Sequence, residues 1–327
     1  MRRREFIGLV GAIAAWPQPV LSQPAKRPVI GRLALPSKNA DLFVRYDGQF
    51  LAGMRDLGYS EGRDFEVVYR LADFHAERLP QLAAELVQLH PDVIFVAASL
   101  DAVAMKKATD TIPIVVATLG DPVALGLIEG FARPGGNVTG ITPYVKGLPA
   151  KQLELAREVV AGATRVGLVD DVTDPKTHPQ RQEIEVTGRR LEIKIVPAEV
   201  RTAADIGPAY EALAAGGVEV VVVEQSSMLV LARKRIAEAA AVKKLPTVYG
   251  YHEHVEAGGL VSYGVNLDWC FHRSAYYVDR ILKGEKPAEL PVEFPTKLEL
   301  SINMKVAKAL GITVPPTLLV RADDVIE

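Results

Sequence analysis

The sequence predicts an α/β protein built as two similar lobes, each with a doubly wound parallel sheet, joined by three hinge strands. Short runs of apolar and β-branched residues alternate with amphipathic segments along the chain. This alternation is typical of parallel sheets covered by helices on both faces. The pattern then repeats, since residues 111–115 are echoed by residues 245–249. A repeat at this distance indicates duplication of a whole domain.

The first half of the chain predicts five strands separated by four helices. Each strand is a short apolar run bounded by turn residues, and leucines at helical spacing predict the second helix. Ser99 is expected to cap the third helix, and Asp121 followed by Pro122 is expected to begin the fourth. The predicted strands are 29–35, 65–69, 93–97, 112–118 and 138–142, and the predicted helices are 43–57, 77–89, 100–108 and 122–132.

The second half predicts the same succession of elements. Its valine run at 218–223 is typical of a strand buried on both faces, and Asp268 is expected to cap a long helix after the last strand. The predicted strands are 166–169, 193–196, 218–223, 245–249 and 260–265, the predicted helices are 180–191, 203–215, 229–242, 268–283 and 303–310, and residues 291–300 are expected to be extended.

The residues after Val265 predict how the lobes are joined. A second lobe that is complete at Val265 does not need residues 266–327. We therefore expect the chain to return to the first lobe for helix 268–283 and then to cross back. The predicted first lobe is 27–143 with 266–296, the predicted second lobe is 144–265 with 297–327, and the predicted hinge strands are 141–147, 263–267 and 295–302. Two lobes on three strands are typical of a clamp that closes about a hinge.

The N-terminus predicts export. Arg2, Arg3 and Arg4 precede an apolar run at residues 6–16, which is the pattern of a signal peptide and is too short to span a bilayer. Residues 1–25 are therefore predicted to be a signal peptide for either the Sec or the twin-arginine route. Because there is no cysteine near residue 20 to carry a lipid, we expect a periplasmic protein that is not a lipoprotein.

Composition restricts the partners. The formal net charge is -2 and the basic residues are scattered, so no nucleic-acid partner is expected. Cys270 is the single cysteine, which excludes an intrachain disulfide. We expect a monomer. Its expected partners are a small-molecule ligand and a membrane protein.

Ligand contacts are expected beyond the carboxyl ends of the strands, where open parallel sheets place their binding crevice. Residues at these ends and at the predicted hinges are rich in hydroxyl, amide and tyrosine side chains, which suit a polar small molecule. The predicted ligand-binding residues are Ser37, Ser99, Thr118, Asp121, Tyr144, Asp171, Thr173, Gln225, Tyr251, Tyr263 and Asn266.

Catalytic motifs are absent from the sequence. It contains no G-x-S-x-G elbow, no phosphate-binding G-x-x-x-x-G-K loop and no H-E-x-x-H pair. His252 and His254 are two residues apart at a predicted helix start, so they point to different sides and do not predict a metal site. We predict no catalytic residue, no metal, no cofactor and no enzymatic activity. A cation site at Asp170, Asp171, Asp174 and His178 is the alternative.

Three long segments resemble a known family. They are GDPVALGLIEGFARPGGNVTGIT from Gly120, EHVEAGGLVSYGVN from Glu253, and YVDRILKGEKPAELPVEFPTKLELSINMKVAKALGITVPPTLLVRADDVIE from Tyr277. The chain resembles the periplasmic substrate-binding proteins of ABC transporters, in the family related to TrpX-type tryptophan-binding proteins. This resemblance implies a type I periplasmic-binding fold and delivery of a small solute, such as an amino acid or related acid, to a permease in the inner membrane. Relatives often carry Asp-Pro after the valine strand, where this chain has Glu224-Gln225-Ser226.

The predicted function is that of a periplasmic solute-binding receptor of an ABC importer. Its lobes would close on a small polar or aromatic carboxylate or an amino-acid-like ligand. The helix starts at Ser99 and Asp121 would hold a carboxylate, and Tyr251 or Tyr263 would cover an apolar part. Two alternatives remain open from the sequence. One is an exported α/β isomerase or hydrolase that acts on a small acid, and the other is a ligand-sensing partner of a membrane receptor.

Overall fold

The structure is a computed structural model that describes residues 27–174 and 176–327. The predicted signal peptide, residues 1–25, lies outside the described residues. The chain forms two sheets with helices packed on their faces. Within the described ranges, no helix combines the length and the apolar character that a membrane crossing requires.

The first lobe contains strands β1 (Val29–Ala34), β2 (Glu66–Leu71), β3 (Val93–Ala98), β4 (Ile114–Thr118) and β5 (Val138–Gly140). Its helices are α1 (Asp41–Asp56), α2 (Leu79–Gln88) and α3 (Ser99–Ala108). The strands pair in parallel in the order β2-β1-β3-β4-β5. Leu33 of β1, for example, lies between Arg70 of β2 and Val96 of β3. All five carboxyl ends therefore lie at one edge of the sheet.

The second lobe contains strands β6 (Arg165–Asp171), β7 (Lys194–Val200), β8 (Val220–Val223), β9 (Thr247–Tyr249), β10 (Val261–Val265), β11 (Leu298–Asn303) and β12 (Asp324–Ile326). The helices after β5 are α4 (Leu148–Val159), α5 (Thr177–Arg190), α6 (Ile206–Ala215), α7 (Ser227–Leu231), α8 (Arg233–Lys243), α9 (His252–Glu256), α10 (Leu267–Leu282), α11 (Met304–Leu310) and α12 (Pro316–Arg321). The strand order is β12-β11-β10-β9-β8-β6-β7. Only the β10–β11 pair in this sheet of the described chain is antiparallel.

Helix α10 follows the second sheet in sequence but packs against α1 of the first lobe. Gly53 of α1 permits this close approach, because an added Cβ would lie 2.3 Å from the carbonyl oxygen of His272. The ring of Phe271 in α10 stacks on Tyr46 of α1, with centroids 4.4 Å apart, and meets the edge of Phe95 in β3. After α10 the chain runs back to β11 in the second lobe.

The chain passes between the lobes after β5 and again between α10 and β11, and these two segments run side by side. Thr142 N–H donates to the carbonyl oxygen of Glu293 at 2.9 Å, and Glu293 N–H donates to Gly140 at 3.0 Å. The predicted fold class is confirmed, since the chain is an α/β protein with parallel sheets in two lobes. The exact lobe boundaries at 143, 265 and 296 stay predictions.

Strand β8 illustrates why this sheet forms. Its four valines are completely shielded from solvent by helices on both faces, and burial of one valine side chain contributes roughly 1.5 kcal/mol or more. The buried strand that the valine run predicted is therefore confirmed at Val220–Val223.

The predicted helix at 122–132 is wrong, because this segment forms turns. Gly126 has a φ of +65°, a left-handed conformation that ends a helix. The Asp121 carboxylate still accepts from the N–H of Ala124 at 3.1 Å, so the expected capping bond forms without the helix behind it.

Three other local predictions are also wrong. Ser99 is the first residue of α3, and its Oγ accepts from the N–H of Gly120 at 2.6 Å instead of capping the helix. Asn266, and not Asp268, caps α10 by accepting from the N–H of Trp269. The predicted helix at 229–242 is divided into α7 and α8 at Ala232. Helices α4 and α12 and strand β12 were not predicted.

Candidate ligand-binding site

A cavity of about 100 Å³ lies between the two lobes. The first lobe contributes the carboxyl ends of β1, β3 and β4 together with the start of α1. The second lobe contributes Lys176, α7 and Tyr251, and α10 forms a third side. The cavity is therefore where the topology of two facing parallel sheets places a binding crevice.

Most of the cavity wall is apolar. The Tyr46 and Phe271 rings stack nearly parallel, at an interplanar angle of 8°, and they present a flat surface between α1 and α10. Aliphatic side chains from both lobes complete this surface, which suits an alkyl chain or an aromatic ring. The apolar lining residues include Leu35, Leu42, Phe43, Tyr46, Leu100, Val230, Leu231, Leu267 and Phe271.

Arg32 is a cation buried in the middle of β1, with 1% of its surface exposed. Its guanidinium lies between the rings of Phe95 and Phe43, 4.6 and 5.5 Å from their centroids. Nε donates to Asp47 Oδ1 at 3.2 Å, and Nη1 donates to the carbonyl oxygen of Leu33 at 2.8 Å. These contacts compensate the loss of water around the charge, and neither bond uses the second terminal nitrogen, Nη2.

Asp101 is an anion on the same wall. It lies in the first turn of α3 and is 2% exposed, and its Oδ1 has no hydrogen-bonding partner within the described part of the chain. Burial raises the pKa of Asp101 to about 6, while the charge of Arg32 and nearby backbone N–H groups oppose this shift. The carboxyl group is therefore mostly ionised at neutral pH but incompletely paired.

The second lobe presents Lys176 and Ser226 to the cavity. Lys176 is 4% exposed, and its Nζ lies 3.4 Å from Asp174 Oδ2. Ser226 Oγ accepts from the N–H of Leu229 at 3.0 Å and so caps α7. Gly120 of the first lobe lies close to Lys176. A Cβ added at Gly120 would lie only 3.0 Å from the Cβ of Lys176.

Contacts between the lobes close over the cavity. Tyr46 Oη of α1 donates to Glu253 Oε1 of α9 at 2.9 Å in a buried position. Asp41 at the start of α1 accepts from Arg233 at 2.6 Å and from Lys234 at 2.9 Å, and these two cations hold the pKa of Asp41 well below its usual range. The described conformation is therefore a closed one.

Two of the predicted ligand-binding residues, Thr118 and Tyr251, line the cavity. Thr118 Oγ1 donates to the carbonyl oxygen of Ala97 at 2.8 Å, so the hydroxyl oxygen can still accept a hydrogen bond from a ligand. Tyr251 is 2% exposed, and burial raises the pKa of its phenol well above the usual value, so the phenol stays neutral.

The other predicted residues of the first lobe lie beside the cavity without lining it. Ser37 accepts from the N–H of Ala40 through its carbonyl oxygen. The side chains of Ser99 and Asp121 accept from the N–H groups of Gly120 and Ala124, respectively.

The predicted residues of the second lobe and the hinges make bonds within the protein. The pairs are Asp171 with Thr173, Gln225 with the carbonyl oxygen of Gly250, Tyr144 with Glu183, and Asn266 with Glu299. Tyr263 packs against the core of the second lobe. None of these six residues lines the cavity in the described structure, and their contact with a ligand stays a prediction.

Sequence reasoning missed Arg32, Asp101 and Lys176. Arg32 interrupts the apolar run Val-Ile-Gly-Arg-Leu-Ala, and a charge inside a predicted buried strand is a signal that could have been used. Asp101 follows Ser99 and Leu100 at a strand end, where the periodicity alone does not show that its side chain turns inward. Lys176 carries no such signal.

The residues proposed for a cation site do not assemble one. Asp170 is bonded to Arg181 at 2.7 Å, and His178 is exposed and lies 3.0 Å from Gln182. Within residues 27–174 and 176–327, no group of three or more His, Cys, Asp or Glu side chains could hold a metal ion.

Two lobes on crossing strands, closed over one small cavity, define the class of bilobal solute-binding proteins. A family model described as "ABC transporter substrate binding protein" matches residues 39–326. The chain belongs to this family of ABC transporter substrate-binding proteins. Members of this family are the substrate-binding proteins of ABC transporters.

Known proteins of this kind resemble the chain over most of its length. A tyrosine-binding protein of Clostridioides difficile is 23% identical over 261 residues, which are 80% of this chain and 75% of the relative. A crystal structure of a conserved domain protein from Vibrio cholerae is 27% identical, with a TM-score of 0.85, and covers 92% of this chain and 100% of its own. The structure of an ABC domain from Streptococcus pneumoniae in complex with L-Trp has 22% identity and the same TM-score and coverage.

Proposed function

We propose that the protein is the periplasmic solute-binding receptor of an ABC importer and that its ligand is a small amino-acid-like carboxylate. The observation that carries this proposal is the closed cavity between the lobes, which combines an apolar wall with buried charged groups. A receptor of this class encloses its ligand between the lobes and so couples binding to closure. The names of the tyrosine-binding relative and of the L-Trp complex support an amino acid as ligand.

The apolar wall suggests which part of the ligand goes where. The stacked rings of Tyr46 and Phe271 would contact the side chain of an amino acid, while Thr118 and Tyr251 offer hydrogen bonds to its polar end. A micromolar dissociation constant corresponds to about 8 kcal/mol. A few charge-assisted hydrogen bonds and one buried ring are sufficient for an affinity of this size.

The partner of the closed state would be an ABC permease of the inner membrane, with the receptor acting as a monomer. Export by the signal peptide at residues 1–25 would place the receptor in the periplasm. A cell-fractionation experiment tests this location, and retention of the full-length chain in the cytoplasm would contradict it.

The ligand class is tested by thermal shift and calorimetry with the twenty amino acids and a set of small aliphatic and aromatic carboxylates. We expect at least one amino acid to raise the midpoint of thermal unfolding in proportion to the logarithm of its concentration. Mass spectrometry of small molecules released from the purified protein is the independent measurement. If no member of either set stabilises the protein and none co-purifies with it, the proposed function is wrong.

A further inference from the structure

We propose that Asp101 binds the ammonium group of the ligand, so that the cavity selects solutes with a protonated primary amine over the corresponding simple carboxylates. This inference rests on the proposed function and deepens it. The family and the relatives do not assign any residue to such a role in this chain.

The carboxyl group of Asp101 is incompletely paired. The residue is 2% exposed and lines the cavity, and its Oδ1 lacks a hydrogen-bonding partner in the described residues. Buried carboxylates are normally bonded to donors, and those without a donor are strongly disfavoured. An ammonium group has three N–H donors and a positive charge, and it would supply what Asp101 lacks.

The charged side chains of the cavity wall are unequally paired. Two cations, Arg32 and Lys176, line the cavity, but each is paired with a carboxylate other than Asp101. Arg32 Nε lies 3.2 Å from Asp47, and Lys176 Nζ lies 3.4 Å from Asp174. Asp47 and Asp174 do not line the cavity, but they occupy the two cations, so Asp101 is the carboxyl group of the wall that has no ion pair of its own among the described residues. A cationic group in the cavity would balance the charge of Asp101.

The charge of Arg32 and nearby backbone N–H groups favour the ionised form of Asp101. Asp101 is therefore not forced to take up a proton. The pKa of about 6 leaves it mostly ionised at pH 7.5. Because an ammonium group binds the ionised form, affinity should fall as the pH is lowered from 7.5 to 5.

The experiment compares matched probes that differ only in the amine. The probes are L-tyrosine and 3-(4-hydroxyphenyl)propanoate, L-leucine and 4-methylpentanoate, with calorimetry and thermal shift at pH 7.5 and pH 5. For each pair that binds, we expect loss of the amine to weaken binding about 30-fold or more. In Asp101→Asn the amino acid should lose a similar factor, so that the variant no longer distinguishes the two members of a pair.

The control is Asp110→Asn, which removes the same charge from an exposed position just after α3, where the carboxylate contacts only Lys106 among the described residues. It should keep the wild-type selectivity and pH dependence. The comparison of probes on the wild-type protein requires no variant, so it remains decisive if Asp101→Asn does not fold.

The outcomes separate this inference from the proposed function. If the deaminated acid binds the wild-type protein as tightly as its amino acid, or if Asp101→Asn keeps full selectivity, Asp101 is not the ammonium site, although the receptor function stands. If none of the four probes and none of the compounds of the wider screen bind, both the receptor function and this inference fail.

Discussion

Among the described residues, both lobes bury carboxyl groups that have an oxygen without a hydrogen-bonding partner, and Asp101 of the first lobe differs from Glu224 of the second in its neighbours. In the first lobe, Asp101 lines the cavity beside Arg32, and its pKa is raised only to about 6. In the second lobe, Glu224 does not line the cavity and lies beside Asp170 and Asp171. Burial and these like charges raise the pKa of Glu224 to about 11.

Burial is the largest cause of the raised pKa in both groups, and the neighbouring charges then oppose or reinforce it. Both groups are almost completely hidden from solvent. A neighbouring cation keeps Asp101 ionised at neutral pH and so available to a cationic ligand group. Burial, reinforced by the neighbouring anions, keeps Glu224 protonated, and a neutral carboxyl group can remain in the interior without a counter-ion. The first lobe therefore holds a binding group where the second holds a structural one.

Removal of Arg32 should have the largest effect on stability, because it takes away the cation that distinguishes Asp101 from Glu224. Arg32→Leu leaves Asp47 and Asp101 buried without their cation. We expect the free energy of unfolding to fall by about 3–5 kcal/mol, as is usual when one partner of a buried ion pair is removed. The pKa of Asp101 should also rise, toward the behaviour of Glu224. Urea unfolding measures the first effect.

Arg63→Leu is the control for this substitution. Arg63 also pairs with an aspartate, Asp64 at 2.8 Å, but its side chain is 70% exposed, and exposed pairs contribute about 1 kcal/mol at most. Equal losses of stability in Arg32→Leu and Arg63→Leu would contradict the role given to the buried cation.

Glu224→Gln tests the protonation state of the buried acid in the second lobe. Folded Glu224 keeps its proton up to about pH 11, whereas the unfolded chain releases it near pH 4.3. Between these values the folded state binds more protons, so the stability of the wild-type protein falls as the pH rises, by up to about 1.4 kcal/mol per pH unit. Glutamine cannot ionise, so the variant should lose this part of the slope.

Urea unfolding of wild-type and Glu224→Gln protein at pH 6, 7 and 8 measures the slopes. Glu238→Gln, on the exposed face of α8, should keep the wild-type slope. Ligand affinity should be unchanged in Glu224→Gln, because Glu224 does not line the cavity. A wild-type slope in Glu224→Gln would show that Glu224 is ionised in the folded protein.

The sequence was sufficient to predict the path of the chain but not the identity of the ligand-facing groups. Helix α10 was predicted to return to the first lobe on the premise that the second lobe is complete at Val265, and α10 does pack against α1. The premise is only partly right, since β11 and β12 extend the second sheet after Val265. The position of the cavity also follows from the topology, which places the carboxyl ends of both sheets at one crevice.

The charged wall could not be predicted in this way. Ser99 and Asp101 both follow β3, but the Ser99 hydroxyl bonds to the turn at Gly120 while Asp101 lines the cavity. A difference of two positions rotates a side chain by more than half a turn around a helix, so the start of the helix must be known to one residue. The sequence placed that start one residue too late.

Glu253 is another buried carboxyl group, and it receives its hydrogen bond from the opposite lobe. Tyr46 Oη donates to Glu253 Oε1 at 2.9 Å, and Glu253 is 2% exposed. This bond exists only when the lobes are closed, since Tyr46 lies on α1 and Glu253 on α9. Closure thus satisfies a group that would otherwise face water or remain unpaired.

Tyr46→Phe should have the smallest of these effects, confined to closure. The apolar ring remains, but Glu253 would be buried in the closed state without its donor, at a cost of about 1–2 kcal/mol. We expect ligand affinity to fall roughly 5- to 30-fold, measured by calorimetry with the amino acid that gives the largest thermal shift. Tyr59→Phe removes a bond of the same length to Asp279 on α10, on the first-lobe side, and should leave affinity unchanged. Equal affinities in the two variants would mean that the bond between Tyr46 and Glu253 does not contribute to closure.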